Sequence, residues 1–392
     1  MVASNPTSGI ESSSPAFNVV QNVVVGNDVT VDYTFSAGSA PAAATSDLSA
    51  GSFPTGTFTV TSGSTNATAY TLGIVDDCNV ESDENLNIAI SSPQYASLGT
   101  LTSQSYQITD DDLSIDPGYT ALDPTCYGGS DGSIDVTISG SATPSFSWTG
   151  PNGFTASTED ISGLESGTYV LTVSWGSGCS TNQSITLNDP VVISISDISV
   201  TDVQCAGANT GAISITAAGG TGSLSYSIDN GTSYQSASTF TGLAAGSYTV
   251  IVKDDNACET TPQSVFVKPT ISIGDVTVNE IDGSATLQVT ISGSVDQNVD
   301  FSWSTSDGTA LAASDYTAVA AGTGSITSGN TSTTVTVNIT DDAINEPQET
   351  FDVVISGLTN ANACDNTGVV TIQEDDDIEI SINDVSLSEG NS

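Results

Sequence analysis

Residues 168–175 read TYVLTVSW, and residues 247–252 read SYTVIV. Tyr169, Leu171, Val173 and Trp175 take every second place in the first stretch, as Tyr248, Val250 and Val252 do in the second. A period of two places such residues on one face of a β-strand. TTVTVNI (333–339) aligns Val335, Val337 and Ile339 in the same way, and ATLQVTI (285–291) aligns Leu287, Val289 and Ile291. Turn signals of Gly, Asn, Asp and Ser recur about every 8–12 residues, the spacing of antiparallel sandwiches. No stretch shows a helical period, so the chain reads as all-β.

Working outward from 168–175, the sequence repeats. Cys126 and Cys205 lie 79 residues apart, as do Cys179 and Cys258, and Pro190 and Pro269. The same offset pairs Gly132 with Gly211, Leu164 with Leu243, Tyr169 with Tyr248 and Val173 with Val252. Two copies of one module occupy 113–191 and 192–270. A second repeat flanks them: IVDDCNVESDENLNIAI (74–90) answers ITDDAINEPQETFDVVI (339–355), and ITDDD (108–112) answers IQEDDD (372–377). These flanking modules span 1–112 and 271–377. ISIGDVTVNEIDGS (271–284) returns as ISINDVSLSEGNS (380–392), so 378–392 reads as the first strand of a further, truncated module. The expectation is a fragment of a longer array: four sandwiches in a row, forming a rod on the order of 150 Å.

The charge narrows function sharply. The 392 residues hold 46 Asp and Glu, 2 Lys and Arg and no His, for a formal net charge of −44. Nucleic-acid binding needs clustered bases, and binding to anionic lipid needs the same. A chain without His lacks His triads and His metal sites, and Lys253 and Lys268 follow no phosphate loop. The hydrophobic share of 37% is too high for a disordered acidic tail. No apolar run reaches the roughly 20 residues of a membrane span. MVASNPTSGI at the start has neither the basic nor the apolar region of a signal peptide.

The flanking modules resemble Calx-beta domains. The second carries VNE (278–280), SDGTALAASDY (306–316), DDAINEPQETF (341–351) and DDD (375–377). The first keeps Asp76, Asp77, Glu81 and Asp110–Asp112, has SDL in place of SDY at 46–48, and has Pro6 in its opening strand. The central modules resemble SprB repeats, through Cys126, GSI (132–134), DISGLESGTYVLTV (160–173), Cys179 and Pro190, and again through Cys205, GAI (211–213), FTGLAAGSYTVIVKD (240–254), Cys258 and Pro269. The fold class implied is a tandem array of Ig-like/Calx-beta β-sandwich modules forming an elongated rod. The combination resembles the large surface adhesins of gliding Bacteroidetes. That resemblance implies cell-surface adhesion, export by the type IX pathway with its signal outside this segment, and attachment to an extracellular polysaccharide or other surface ligand.

Acidic clusters are the only chemistry on offer. Glu280, Asp315, Asp341, Asp342, Glu346, Asp375, Asp376 and Asp377 come from four stretches of the second flanking module. Three adjacent Asp are costly to pack without a cation, and Ca²⁺ takes six to eight oxygen ligands. Mg²⁺ prefers fewer carboxylates and retained waters. By resemblance to Calx-beta domains these positions bind structural Ca²⁺ near 377–378. The set Asp47, Asp76, Asp77, Glu81, Asp110, Asp111 and Asp112, with Glu11 by spacing, does so near 112–113.

The natural Cys pairs are Cys126–Cys179 and Cys205–Cys258, each within one module and fitting an oxidising exterior. Cys78 and Cys364, in non-equivalent places of separate modules, are expected to be unpaired. SIDNGTSY (227–234) resembles an Asp-box, and its Asn230-Gly231 reads as a hairpin turn. Trp148, Trp175 and Trp303 read as core. With triplets of like charges and few aromatics for a sugar cleft, the chain reads as no enzyme. The rival readings are a carbohydrate-binding array and a passive spacer holding a distal adhesive tip.

Overall fold

The computed structural model describes residues 5–115, 119–176, 178–205, 207–373, 375 and 380–382. Contacts divide the chain into two compact units, Met1–Pro190 and Val191–Ser392. The described residues are strands, turns and loops, with two short 3₁₀ turns at Pro151–Gly153 and Glu280–Asp282. Among the described residues, no helix is long and apolar enough to cross a membrane.

In the first unit, a five-stranded sheet runs in the order Ser8–Ile10, Ser103–Thr109, Glu84–Gln94, Val29–Ala37, Thr55–Val60. Its first pair is parallel, and the rest are antiparallel. Val29, Val31, Tyr33 and Phe35 alternate inward along Val29–Ala37 and meet Phe17, Leu72 and Tyr106 in one core. The second unit repeats that sheet as Val276–Asn279, Thr367–Gln373, Glu349–Thr359, Val299–Asp307, Gly322–Ile326. Its opposing sheet holds Ser332–Asn338, Ser284–Ile291, Thr270–Ile273 and Asn362–Asp365. The chain therefore changes sheets between Thr270–Ile273 and Val276–Asn279, across Gly274 and Asp275. The expected inward faces are buried at Leu287, Val289, Ile291, Val335, Val337 and Ile339.

The central modules share a second architecture. In the first, Gly132–Asp135 lies between Ile161–Leu164 and Thr120–Leu122, and Gly167–Trp175 lies between Ser145–Thr149 and Cys179–Leu187. In the second, Gly211–Ala218 lies between Thr239–Leu243 and Ser194–Thr201, and Gly246–Lys253 lies between Ser225–Ser227 and Gln263–Val267. Even the irregularity repeats: register shifts at Gly132/Ser133 and again at Gly211/Ala212. Tyr169, Leu171, Val173 and Trp175 are all buried, as their spacing requires.

The second copy departs in one respect. Ile251, on the opposite face from Val250 and Val252, is buried too. The cause is the turn at 227–234, which folds back over that face and brings Gly231 beside the Ile251 side chain. Asn230 and Gly231 both have positive φ, 58° and 79°, as a two-residue reversal demands. The Asp229 carboxylate accepts from the Ser227 and Ser233 hydroxyls and the Ser233 N–H. Bonds from Ser233, then Ser227, hold its pKa down at about 2. The turn is structural, as its sequence indicated.

Trp148 is fully buried, and its indole N–H donates to the carbonyl of Thr158 at 3.0 Å. Trp148→Ala leaves a cavity and two elements unbridged, and is expected to cost about 3–5 kcal/mol. The urea midpoint, against that of Trp148→Phe, measures it.

The disulfides correct the sequence reading. Cys179 bonds Cys78, and Cys205 bonds Cys364, each with Cα atoms 5.4 Å apart. Neither Cys126–Cys179 nor Cys205–Cys258 forms, and Cys78 and Cys364 are not free thiols. Cys126 and Cys258 are also disulfide-bonded. Both bridges join a flanking module to the central module beside it. Spacing within a repeat says which residues are equivalent, and the loops that meet at a module boundary decide which ones touch. Closing loops of this length contributes about 5 kcal/mol each by loop entropy.

Candidate metal centre

Each flanking module gathers its acids at one end, in two groups. In the first module, Glu11, Asp77 and Asp112 bring one carboxylate oxygen each within 4.8 Å of the others, and Asp47, Glu81 and Glu84 do the same. In the second, the groups are Glu280, Asp341 and Asp375, and Asp315, Glu346 and Glu349. Strand ends deliver them. Glu11 follows Ser8–Ile10, and Glu280 follows Val276–Asn279, the parallel edge strands of the two corresponding sheets. Glu84 and Glu349 open the long strands Glu84–Gln94 and Glu349–Thr359.

The loops are held from within. Asp110 accepts from the N–H groups of Glu81 and Asp112 at 2.8 and 2.9 Å, and Asp111 from the Ser12 hydroxyl at 2.8 Å. Asp47 accepts from the Ala44 N–H, and Asp315 from the Leu311 N–H at 2.6 Å. Asp342 accepts from the Ile344 N–H at 2.7 Å. The SDL departure is absorbed in the core: Leu48 and Tyr316 are both buried, at 2% and 1% exposure. Tyr316 stacks on Phe351 at 3.9 Å, and its hydroxyl donates to Asp307.

Asp112 is the most telling member. It is 2% exposed; its Oδ1 accepts from the Trp175 indole at 2.8 Å, and its Oδ2 is buried with no hydrogen-bond partner. A buried carboxylate oxygen left without a donor is costly unless a cation meets it. Among the described residues no Lys or Arg stands in these groups. A hard divalent ion with oxygen ligands fits this donor set.

Crowding and burial alter the acidities. Burial, and then the charges of Asp110, Glu81, Asp112 and Asp77, push Glu11 up to about 8. Burial and a hydrogen bond with Asp47 push Glu84 to about 7, and burial and Asp315 do so for Glu349. Burial also raises Asp112 against the opposing pull of the Trp175 bond. Such groups hold protons more tightly folded than unfolded. Their contribution is fully present below the ordinary value of 4.5 and is lost as pH climbs through about 7 to 8. Without divalent cations, the urea midpoint is therefore expected to fall between about pH 5 and pH 8. A midpoint that rises over that window contradicts this.

Of the sequence-assigned ligands, Glu11, Asp47, Asp77, Glu81 and Asp112 converge in the first module, and Glu280, Asp315, Asp341, Glu346 and Asp375 in the second. Asp76, Asp110, Asp111 and Asp342 sit beside these groups without joining a triplet. Asp376 and Asp377, and most of the stub 378–392, lie outside the described residues. Glu84 and Glu349 were missed, although the repeat that pairs 74–90 with 339–355 also pairs them.

A sequence profile of the Calx-beta domain matches residues 4–112 and 264–381, well over half of the chain. The chain belongs to the Calx-beta family. A profile of the SprB repeat matches 118–153 and 198–233, the leading parts of the two central modules. No curated protein matches the chain. Among solved structures, the apo form of the Calx CBD1 domain is 23% identical, covering 28% of this chain and 99% of its own, with a TM-score of 0.27. The calcium binding domain CBD12 of CALX1.1 is 15% identical over 44% of this chain and 79% of its own, at 0.28. Sidekick-1 immunoglobulin domains 1–4 are 10% identical over 93% and 100%, at 0.23. The chain is an array of Calx-beta and SprB modules with an all-β fold.

Proposed function

We propose that this chain is a structural and adhesive segment of a large bacterial cell-surface adhesin, with Ca²⁺ bound at the acidic ends of its Calx-beta modules. The buried Asp112, whose Oδ2 has no donor of its own and whose carboxylate lies with those of Glu11 and Asp77, carries the calcium reading. Residues Glu11, Asp77 and Asp112, with Asp47, Glu81 and Glu84 beside them, would hold cations in the first module. Glu280, Asp341, Asp375, Asp315, Glu346 and Glu349 would do so in the second. The ion neutralises carboxylates at a module end and adds ligand bonds between separate loops, which stiffens that end. Disulfides between modules support an oxidising, extracellular setting. Gliding motility, type IX export and an extracellular polysaccharide as ligand belong to the same reading and rest on the pairing of SprB repeats with Calx-beta modules.

The test is attachment. The purified chain is applied to polysaccharide-coated and bare glass surfaces, with Ca²⁺ and with chelator. Retention that needs Ca²⁺ supports the adhesive reading. A chain that binds neither surface, yet changes its small-angle scattering on adding Ca²⁺, is a spacer instead. Binding to defined glycans alone favours a carbohydrate-binding array.

A further inference from the structure

The Glu11–Asp77–Asp112 group does not belong to its Calx-beta module alone. Within the compact unit Met1–Pro190, the neighbouring SprB module reaches it in several places. The Trp175 indole donates to Asp112 Oδ1 at 2.8 Å, with both residues buried. Cys179, four residues along, is bonded to Cys78, which directly follows Asp77. The Cys179 sulfur also lies 3.5 Å from the Asp77 carbonyl oxygen. The Ser141 hydroxyl donates to the Asp110 carbonyl at 3.1 Å. Leu113, next to Asp112, is already part of the SprB core with Trp148 and Leu171.

The chemistry of each tie is specific. An indole N–H can only donate, so it fixes one carboxylate oxygen and leaves the other without a donor. A disulfide removes the freedom of the loop that carries Asp76, Asp77 and Glu81. The second SprB module follows another SprB module rather than a Calx-beta module, and it has no indole at this position. At the place of Trp175 it has Asp254, whose carboxylate takes the N–H groups of Thr221, Asn256 and Cys258 inside its own module.

We propose that the Glu11–Asp77–Asp112 site is a composite of two modules, in which Trp175 and Cys179 of the SprB module are positioning residues that hold Asp112 and the Asp76–Glu81 loop for the cation. This rests on the calcium reading given above. Removing an outer-shell partner of a metal ligand typically lowers metal affinity roughly 10–100-fold.

The test is a calorimetric Ca²⁺ titration of the full chain with the second module silenced by Glu280→Gln and Asp315→Asn. Trp175→Phe is expected to weaken one class of site roughly 10–100-fold, leaving the Asp47–Glu81–Glu84 class unchanged. The Trp175 emission, obtained by subtracting the Trp175→Phe spectrum, is expected to shift as Ca²⁺ is added. Equal affinity in the parent and Trp175→Phe overturns the proposal while leaving the calcium reading intact, as does equal weakening of both classes. A parent that binds no Ca²⁺ removes the calcium reading and this inference with it. If Trp175→Phe does not fold, Cys78→Ser with Cys179→Ser decides: weaker binding at the Glu11 class supports the composite site, and unchanged binding overturns it.

Discussion

Saturating Ca²⁺ is expected to raise the thermal midpoint of this chain by roughly 10 °C over the chelated form. The magnitude follows from mass action. A site at a thousand times its Kd adds about 4 kcal/mol to the folded state. For a unit of this size each kcal/mol moves the midpoint by about 2–4 °C. The physical source is the acidic module ends: two triplets in each Calx-beta module bring carboxylate oxygens within 4.8 Å of one another. A net charge of −44 adds repulsion that the ion relieves. The gain is expected to be larger at about pH 8 than at pH 5, because protons already neutralise Glu11, Glu84 and Glu349 in acid. Scanning calorimetry at both pH values, with Ca²⁺ and with chelator, measures it. Superimposable curves at pH 8 contradict it.

Pulling the chain from its ends should unfold only a minority of it. The Cys78–Cys179 and Cys205–Cys364 bonds span sequence separations of 101 and 159 residues. Tension passing through the sulfurs bypasses those stretches, which hold both SprB strands rich in core residues and most of the second Calx-beta module. At about 3.3–3.6 Å per extended residue, reduction is expected to release roughly 900 Å more chain than the oxidised protein yields. Single-molecule force spectroscopy with and without a dithiol reads this difference directly. Equal contour lengths in the two conditions contradict the pairing. For a module array under load, a long hidden length keeps the bypassed stretches from being extended while the ends are pulled.

How far the sequence could be read depended on what each pattern encodes. Alternation in TYVLTVSW and TTVTVNI reports local burial, and those faces are where the core lies. The two repeat offsets report equivalence, and the two flanking modules do share one strand order. Leu48 in place of Tyr316 looked like a defect in the motif. It is a conservative filling of one buried position. Glu11, aligned with Glu280 by spacing alone, lies in the corresponding place after a parallel edge strand.

What stayed hidden is what passes between modules. Repeat logic paired Cys179 with Cys126, because both recur 79 residues on. It has no means of showing that Cys179 starts a strand beside the Asp77 loop of the preceding module. Trp175 read as core by its alternation, and it is core; its polar edge, aimed at Asp112, follows from the junction and not from the strand. Glu84 and Glu349 were overlooked for a different reason. They stand at the first residues of long strands, a few places beyond the acidic runs at 76–81 and 341–346.

The central claim is that the acidic ends of the Calx-beta modules are cation sites. Calorimetric titration of the whole chain with Ca²⁺ at neutral pH tests it most directly, alongside a chain carrying Glu11→Gln, Asp112→Asn, Glu280→Gln and Asp315→Asn. Saturable binding in the natural chain that is lost in the substituted one is the predicted result. No saturable heat in the natural chain, or equal binding by both, would contradict it.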